Sequence, residues 1–167
     1  MTVLGSLLVL KRVIFNLTDG VVQMNIEIKI PTDSEGFYSL ECPYCHEKFK
    51  AQAGDIDSEE VLELYCPICG LTADNSSFTP SEVLEHAMTL AMNYAQDEIF
   101  NAFKKSSKNL KGSGISMSVN KPKEEVPKLL TEDENLEQVE LNCCNKIIKL
   151  NVAQKATNVY CLFCGVN

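Results

Sequence analysis

Leu40-Glu41-Cys42-Pro43-Tyr44-Cys45-His46 and Cys66-Pro67-Ile68-Cys69-Gly70 are the two stretches on which the fold turns. Each holds two cysteines separated by two residues, and twenty residues lie between the pairs. Cysteines at that spacing can both face one ion because the intervening turn wraps around it. Two such turns supply the four thiolates of a tetrahedral structural zinc site. Gly70 suits the tight backbone turn that follows a ligand pair. Residues 37–40 and 61–65 lead into the two pairs as short strand-like runs, the layout of two hairpins. Cys42, Cys45, Cys66 and Cys69 are therefore expected as a first metal site.

This pattern resembles the zinc-ribbon family, in particular ribbons of the transcription factor IIB type. Cys66-Pro67-Ile68-Cys69-Gly70 fits the family's knuckle fully, whereas Cys42-Pro43-Tyr44-Cys45 is followed by His46 in place of glycine. The resemblance covers about residues 37–74 and, less well, 139–167. It implies two knuckles on short antiparallel hairpins. It leaves function open, because one fold hosts many functions.

The tail repeats the theme. Leu40 to Lys50 can be laid on Leu141 to Lys149 if two residues are removed between the cysteines, and Cys161-Leu162-Phe163-Cys164-Gly165 matches the closing pair directly. Cys143, Cys144, Cys161 and Cys164 are the expected second site, so two Zn(2+) ions are expected. The adjacency of Cys143 and Cys144 speaks against it, since neighbouring side chains on an extended strand point to opposite faces. A bulge could reunite them; three thiolates with another ligand, or no metal, are the alternatives.

Thr79-Pro80-Ser81-Glu82 carries a capping hydroxyl, a proline and a glutamate in the order of a helix start. Apolar residues then recur from Val83 to Phe103 with a 3.6-residue period. The expected architecture is small and α+β. It comprises an N-terminal apolar segment (1–23), a zinc ribbon (24–78), an amphipathic helix (79–105), a flexible linker (106–138) rich in Ser, Gly, Lys, Pro and Glu, and a second ribbon-like module (139–167). Residues 25–30 alternate polar and apolar as a strand should. No stretch reaches the roughly 18–20 apolar residues of a membrane span. The run at residues 3–10 has its charges, Lys11 and Arg12, behind it, the reverse of a secretory signal.

Eight cysteines in close pairs favour metal over disulfides and so a reducing, cytoplasmic setting. The net charge of −8 is uneven: residues 31–103 carry fourteen acids and two bases, while residues 104–123 carry six lysines and no acid. Phosphate is repelled by the first block. Lys104, Lys105, Lys108, Lys111, Lys121 and Lys123 form the candidate nucleic-acid surface, which Lys146, Lys149 and Lys155 on the second ribbon could extend. The bland reading is solvated charge at a helix end and in a linker. A stripe as wide as that of the helix asks for a partner, so Met88, Met92 and Phe103 are expected to touch a protein or a second copy.

Catalysis is not expected. Four-cysteine zinc leaves no position for a small-molecule substrate. Cys42-Pro43-Tyr44-Cys45 also matches the active-site motif of glutaredoxins, which makes a thiol–disulfide oxidoreductase the enzymatic rival. That chemistry requires a low-pKa thiol at a helix N-terminus. The sequence points first to a non-catalytic zinc-binding adaptor and second to a nucleic-acid-associated regulator.

Overall fold

The computed structural model describes residues 8–16, 23–58, 60–110, 120–132 and 135–167. They form a small α+β protein of β-hairpins, one long helix and two four-cysteine groups. The chain divides into two compact units, one of residues 1–11, 29–84 and 130–167 and the other of 12–28 and 85–129. Strands β1 (Leu8–Asn16) and β2 (Gln23–Pro31) make a two-stranded sheet. On β2, Ile28 and Ile30 are buried and Lys29 between them is exposed, the alternation expected of that segment.

Both cysteine groups lie in the first unit. Its centre is a four-stranded antiparallel sheet in the order β3 (Phe37–Glu41), β4 (Lys48–Gln52), β8 (Lys146–Leu150) and β7 (Glu137–Leu141). The two ribbons thus share one sheet, joined where Lys50 pairs with Lys149 and Ala51 with Ile148. One-turn helices follow β4 and β8: α1 (Ala53–Ile56) and α3 (Val152–Lys155). A small hairpin, β5 (Glu63–Tyr65) with β6 (Thr72–Asp74), carries the second cysteine pair. Phe37, Tyr38, Leu40, Phe49, Ile56, Leu64, Phe78, Ile148, Leu150 and Leu162 are fully buried or nearly so. The Phe49 ring meets Phe78 edge-on at 6.0 Å. Phe49→Ala would cost about 3–5 kcal/mol.

The strand registers correct the alignment in which two residues are removed between the cysteines. Glu41 pairs with Lys48, and Glu140 with Ile147. One step inward, the Cys42 N–H donates to the Glu47 carbonyl (3.0 Å), and Leu141 pairs with Lys146. The two turns are therefore of equal length. Cys144 occupies the place of Cys45, and Leu141 the place of Cys42. Left-handed residues confirm the match, with His46 at φ 59° and Asn145 at φ 50°. The missing residues fall later: sixteen separate Cys144 from Cys161, against twenty in the first ribbon.

Helix α2 (Ser81–Leu110) outruns the expected end at 105 and begins differently. The Thr79 hydroxyl donates backward to the Ser76 carbonyl (2.8 Å) and does not cap the helix. The Glu41 carboxylate, at the end of β3, accepts from the Ser81 N–H and hydroxyl, both at 3.2 Å. A negative group there complements the helix dipole. Lys48 on the opposite strand holds Glu82 at 2.7 Å. The start of the helix is thereby tied to the first hairpin.

In the second unit, part of the segment expected as linker runs beside α2. Asn93 exchanges two hydrogen bonds with the Glu125 backbone (2.7 and 2.9 Å), and His86 Nδ1 lies 2.8 Å from the Lys128 carbonyl.

Candidate metal centres

Each centre is built from two turns, and three of the four close alike, while in the fourth the Leu141 carbonyl accepts from the Cys144 N–H (3.1 Å). A carbonyl of the residue opening the turn accepts from the residue after the last cysteine: Cys42 from His46 (3.0 Å), Cys66 from Gly70 (2.9 Å), Cys161 from Gly165 (2.9 Å). That last residue is left-handed every time, at φ 73° for Gly70 and 68° for Gly165. Such a turn throws backbone N–H groups toward sulfur, as at Cys66, which faces the N–H of Ile68 and of Cys69 at 3.4 Å.

The four sulfurs of Cys42, Cys45, Cys66 and Cys69 lie within 4.8 Å of one another, as do those of Cys143, Cys144, Cys161 and Cys164. Sulfurs about 2.3 Å from one tetrahedral ion stand about 3.8 Å apart. The closest contacts are 3.7 Å for Cys42–Cys69 and for Cys45–Cys66, and 3.6 and 3.4 Å for Cys144–Cys161 and Cys143–Cys164. Both groups therefore fit a metal ion and are compatible with zinc ribbons. Adjacency is no obstacle at the second, because Cys143 and Cys144 sit in the turn between β7 and β8 and not on a strand.

Electrostatics distinguish the two. At the first centre, burial pushes the Cys66 thiol far up and raises Cys45. Burial would raise Cys42 too, but the N–H groups of Cys45 and Tyr44 hold it below its ordinary value. At the second, the Cys161 and Cys164 sulfurs push Cys143 up to about 11. The Cys161 sulfur and then burial push Cys144 up to about 12. The Val166 N–H draws Cys164 down to about 7. Crowded thiols keep protons that a divalent cation would displace.

Two contacts between the ribbons escaped the sequence reading. The Tyr65 N–H donates to the Leu162 carbonyl (2.9 Å), and the Tyr160 N–H to the Pro67 carbonyl (3.0 Å). The Tyr160 ring lies against Gly70, and the Tyr65 ring against Gly165. Each knuckle thus packs on the other by the same exchange. The one signal in the sequence was a tyrosine before each closing pair.

The remaining residues fall as follows. Met88, Met92 and Phe103 are exposed on α2, as are Lys104 and Lys105. The Lys108 side chain and all of Lys111 lie outside the described residues, and so do residues 1–7 of the N-terminal segment. The lysines invoked on the second ribbon are engaged: Lys146 with Asp55 (2.6 Å), Lys149 with Asp33 (2.7 Å) and Lys155 with Glu137 (2.8 Å). Lys121 is paired with Asp97 and Glu124. Cys42-Pro43-Tyr44-Cys45 lies in a β turn with Cys42 fully buried. Among the described residues no helix is long and apolar enough to cross a membrane.

No protein-family model matches the chain, and no curated protein or solved structure matches it.

Proposed function

We propose that this chain is a non-catalytic, cytoplasmic zinc-binding adaptor that docks a protein partner through helix α2. Zinc is the ion that four thiolates in a tetrahedron suit best, and such a site keeps no open position for substrate. The ribbons act as rigid supports in this reading, of the type seen in transcription factor IIB.

One observation carries the docking. Met88, Met92 and Phe103 are 59%, 57% and 48% exposed. At 100° per residue, Leu84 and Ile99 share their side of the helix. His86, Asn93 and Asp97, which hold residues 121–128, lie on the other side. The chain clothes the polar face with its own backbone and leaves the apolar stripe in solvent. An apolar stripe on one face of a helix suits an apolar groove on a protein partner.

The test pairs Met88→Glu/Phe103→Glu with a variant in which Lys104, Lys105, Lys108 and Lys111 are all changed to Glu, both read by native capture with and without nuclease. The helix variant is expected to lose its protein partners and the lysine variant to keep them. The opposite result, or loss of every partner to nuclease, replaces the adaptor by a nucleic-acid-associated regulator. Disulfide reductase activity in the purified protein would favour the thiol oxidoreductase.

A further inference from the structure

The two ribbons are the same device built twice, so their differences are informative. In the first, the opening ligand is Cys42, at the end of β3 and fully buried. In the second, that place belongs to Leu141, itself buried, and the ligand has moved two residues on to Cys143, in the turn. The result is a large contrast in access. Cys42 and Cys66 are buried and Cys45 and Cys69 half-buried, whereas Cys143 and Cys164 are both exposed and stand 3.4 Å apart.

We infer that Cys143 and Cys164 form a peroxide-reactive thiol pair, whose oxidation to a disulfide ejects the zinc of the second centre while the first keeps its own. The inference rests on zinc as the bound ion. One exposed thiolate attacks a peroxide oxygen, the O–O bond breaks, and a sulfenic acid forms with release of water or an alcohol. The second thiolate then attacks that sulfur, an S–S bond forms, and the hydroxyl leaves as water after taking a proton. Two thiolates and two protons are consumed; sulfur loses two electrons and the peroxide gains them. Cys144 and Cys161 alone are too few ligands for a structural zinc site. The buried pair of sulfurs at the first centre, Cys42 and Cys66, gives a peroxide no comparable approach.

Release has a route to the rest of the unit. The Cys161–Gly165 knuckle touches the first ribbon through Tyr65, so loosening it frees the ring of the residue that precedes Cys66. A dithiol would restore the pair, making the change reversible.

The experiment first measures metal content, then adds hydrogen peroxide stepwise to the loaded full chain. A chromogenic indicator follows zinc release, and peptide mass spectrometry locates disulfides after the remaining thiols are alkylated. Release should level off at half of the zinc, with a Cys143–Cys164 disulfide and the four cysteines of the first centre alkylated. Dithiothreitol with zinc should restore the starting state. Parallel loss of both ions, or a first disulfide elsewhere, overturns the inference. A protein with too little metal at the outset fails the zinc reading instead, and the disulfide map still decides the thiol pair. A second variant, Leu141→Cys with Cys143→Ser, returns the ligand to the buried place. It should release both ions at the slow rate; continued fast release of one overturns the proposal.

Discussion

Asp33 does more for this fold than its position before β3 suggests. Its Oδ1 accepts from the Glu35 and Phe37 N–H groups, both at 3.0 Å, and its Oδ2 faces Lys149 at 2.7 Å and Lys50 at 3.6 Å. All three side chains are buried. Burial would raise the Asp33 carboxyl, but the Lys149 ammonium and the two N–H donors outweigh it and hold the group below its ordinary value. Asp33→Asn leaves buried ammonium groups short of a counter-charge and should cost about 3–5 kcal/mol by chemical denaturation. Because the folded state lowers this pKa, the contribution is complete above the unfolded value near 4 and fades as pH falls through the lower folded value. The stability gap between wild type and variant should accordingly narrow in acid. None of this was legible in advance. A lysine in mid-strand reads as solvated, and only the pairing of β4 with β8 puts Lys50 and Lys149 side by side at the centre of a sheet.

At the scale of elements, the two four-cysteine groups were legible because this spacing of thiols is what a tetrahedral ion would require. The second group was legible in identity and not in register, since strand pairing, which sequence does not display, fixes where a turn begins. The knuckles make two predictions. Gly70 and Gly165 are left-handed and each faces a tyrosine, but a Cβ would come within 3.1 Å of Tyr160 at Gly70 and 2.7 Å of Tyr65 at Gly165. Gly165→Ala should therefore lower the melting temperature of the loaded protein more than Gly70→Ala; equal shifts would mean that the Tyr65 ring yields freely. His46, at φ 59°, holds the same conformation with a side chain, so His46→Gly should stabilise by about 1 kcal/mol in denaturant titrations. The long helix was equally legible from its periodicity. Its cap was missed, because the group that meets the Ser81 N–H is Glu41, forty residues earlier in the chain.

For the molecule as a whole, composition marked residues 106–138 as a break between modules, yet the modules on either side share a sheet and a knuckle contact. Linker chemistry describes the connection and says nothing of what its ends do. Further ties cross between the halves: Glu132 holds Lys50 at 3.0 Å and the Ser39 hydroxyl at 2.7 Å, and Gln154 donates to Glu47 at 2.7 Å. A fragment ending at residue 110 exposes the edge of β4 and takes Glu132 from Lys50 and Lys149 from Asp33. It should bind its zinc weakly and unfold without a sharp transition, and adding a fragment of residues 120–167 should restore both. Independent, cooperative folding of the first fragment would show that the shared sheet contributes little.

The pairing of Lys50 with Lys149 also governs the order of events in folding. The join lies between positions about a hundred residues apart, so a chain must close that span before the central strands reward it. During synthesis the first ribbon waits for the second with half of its sheet missing and four thiols already present. Early capture of zinc at Cys42, Cys45, Cys66 and Cys69 would hold that half-sheet in shape until its counterpart arrives, a chaperoning service rendered by the ion.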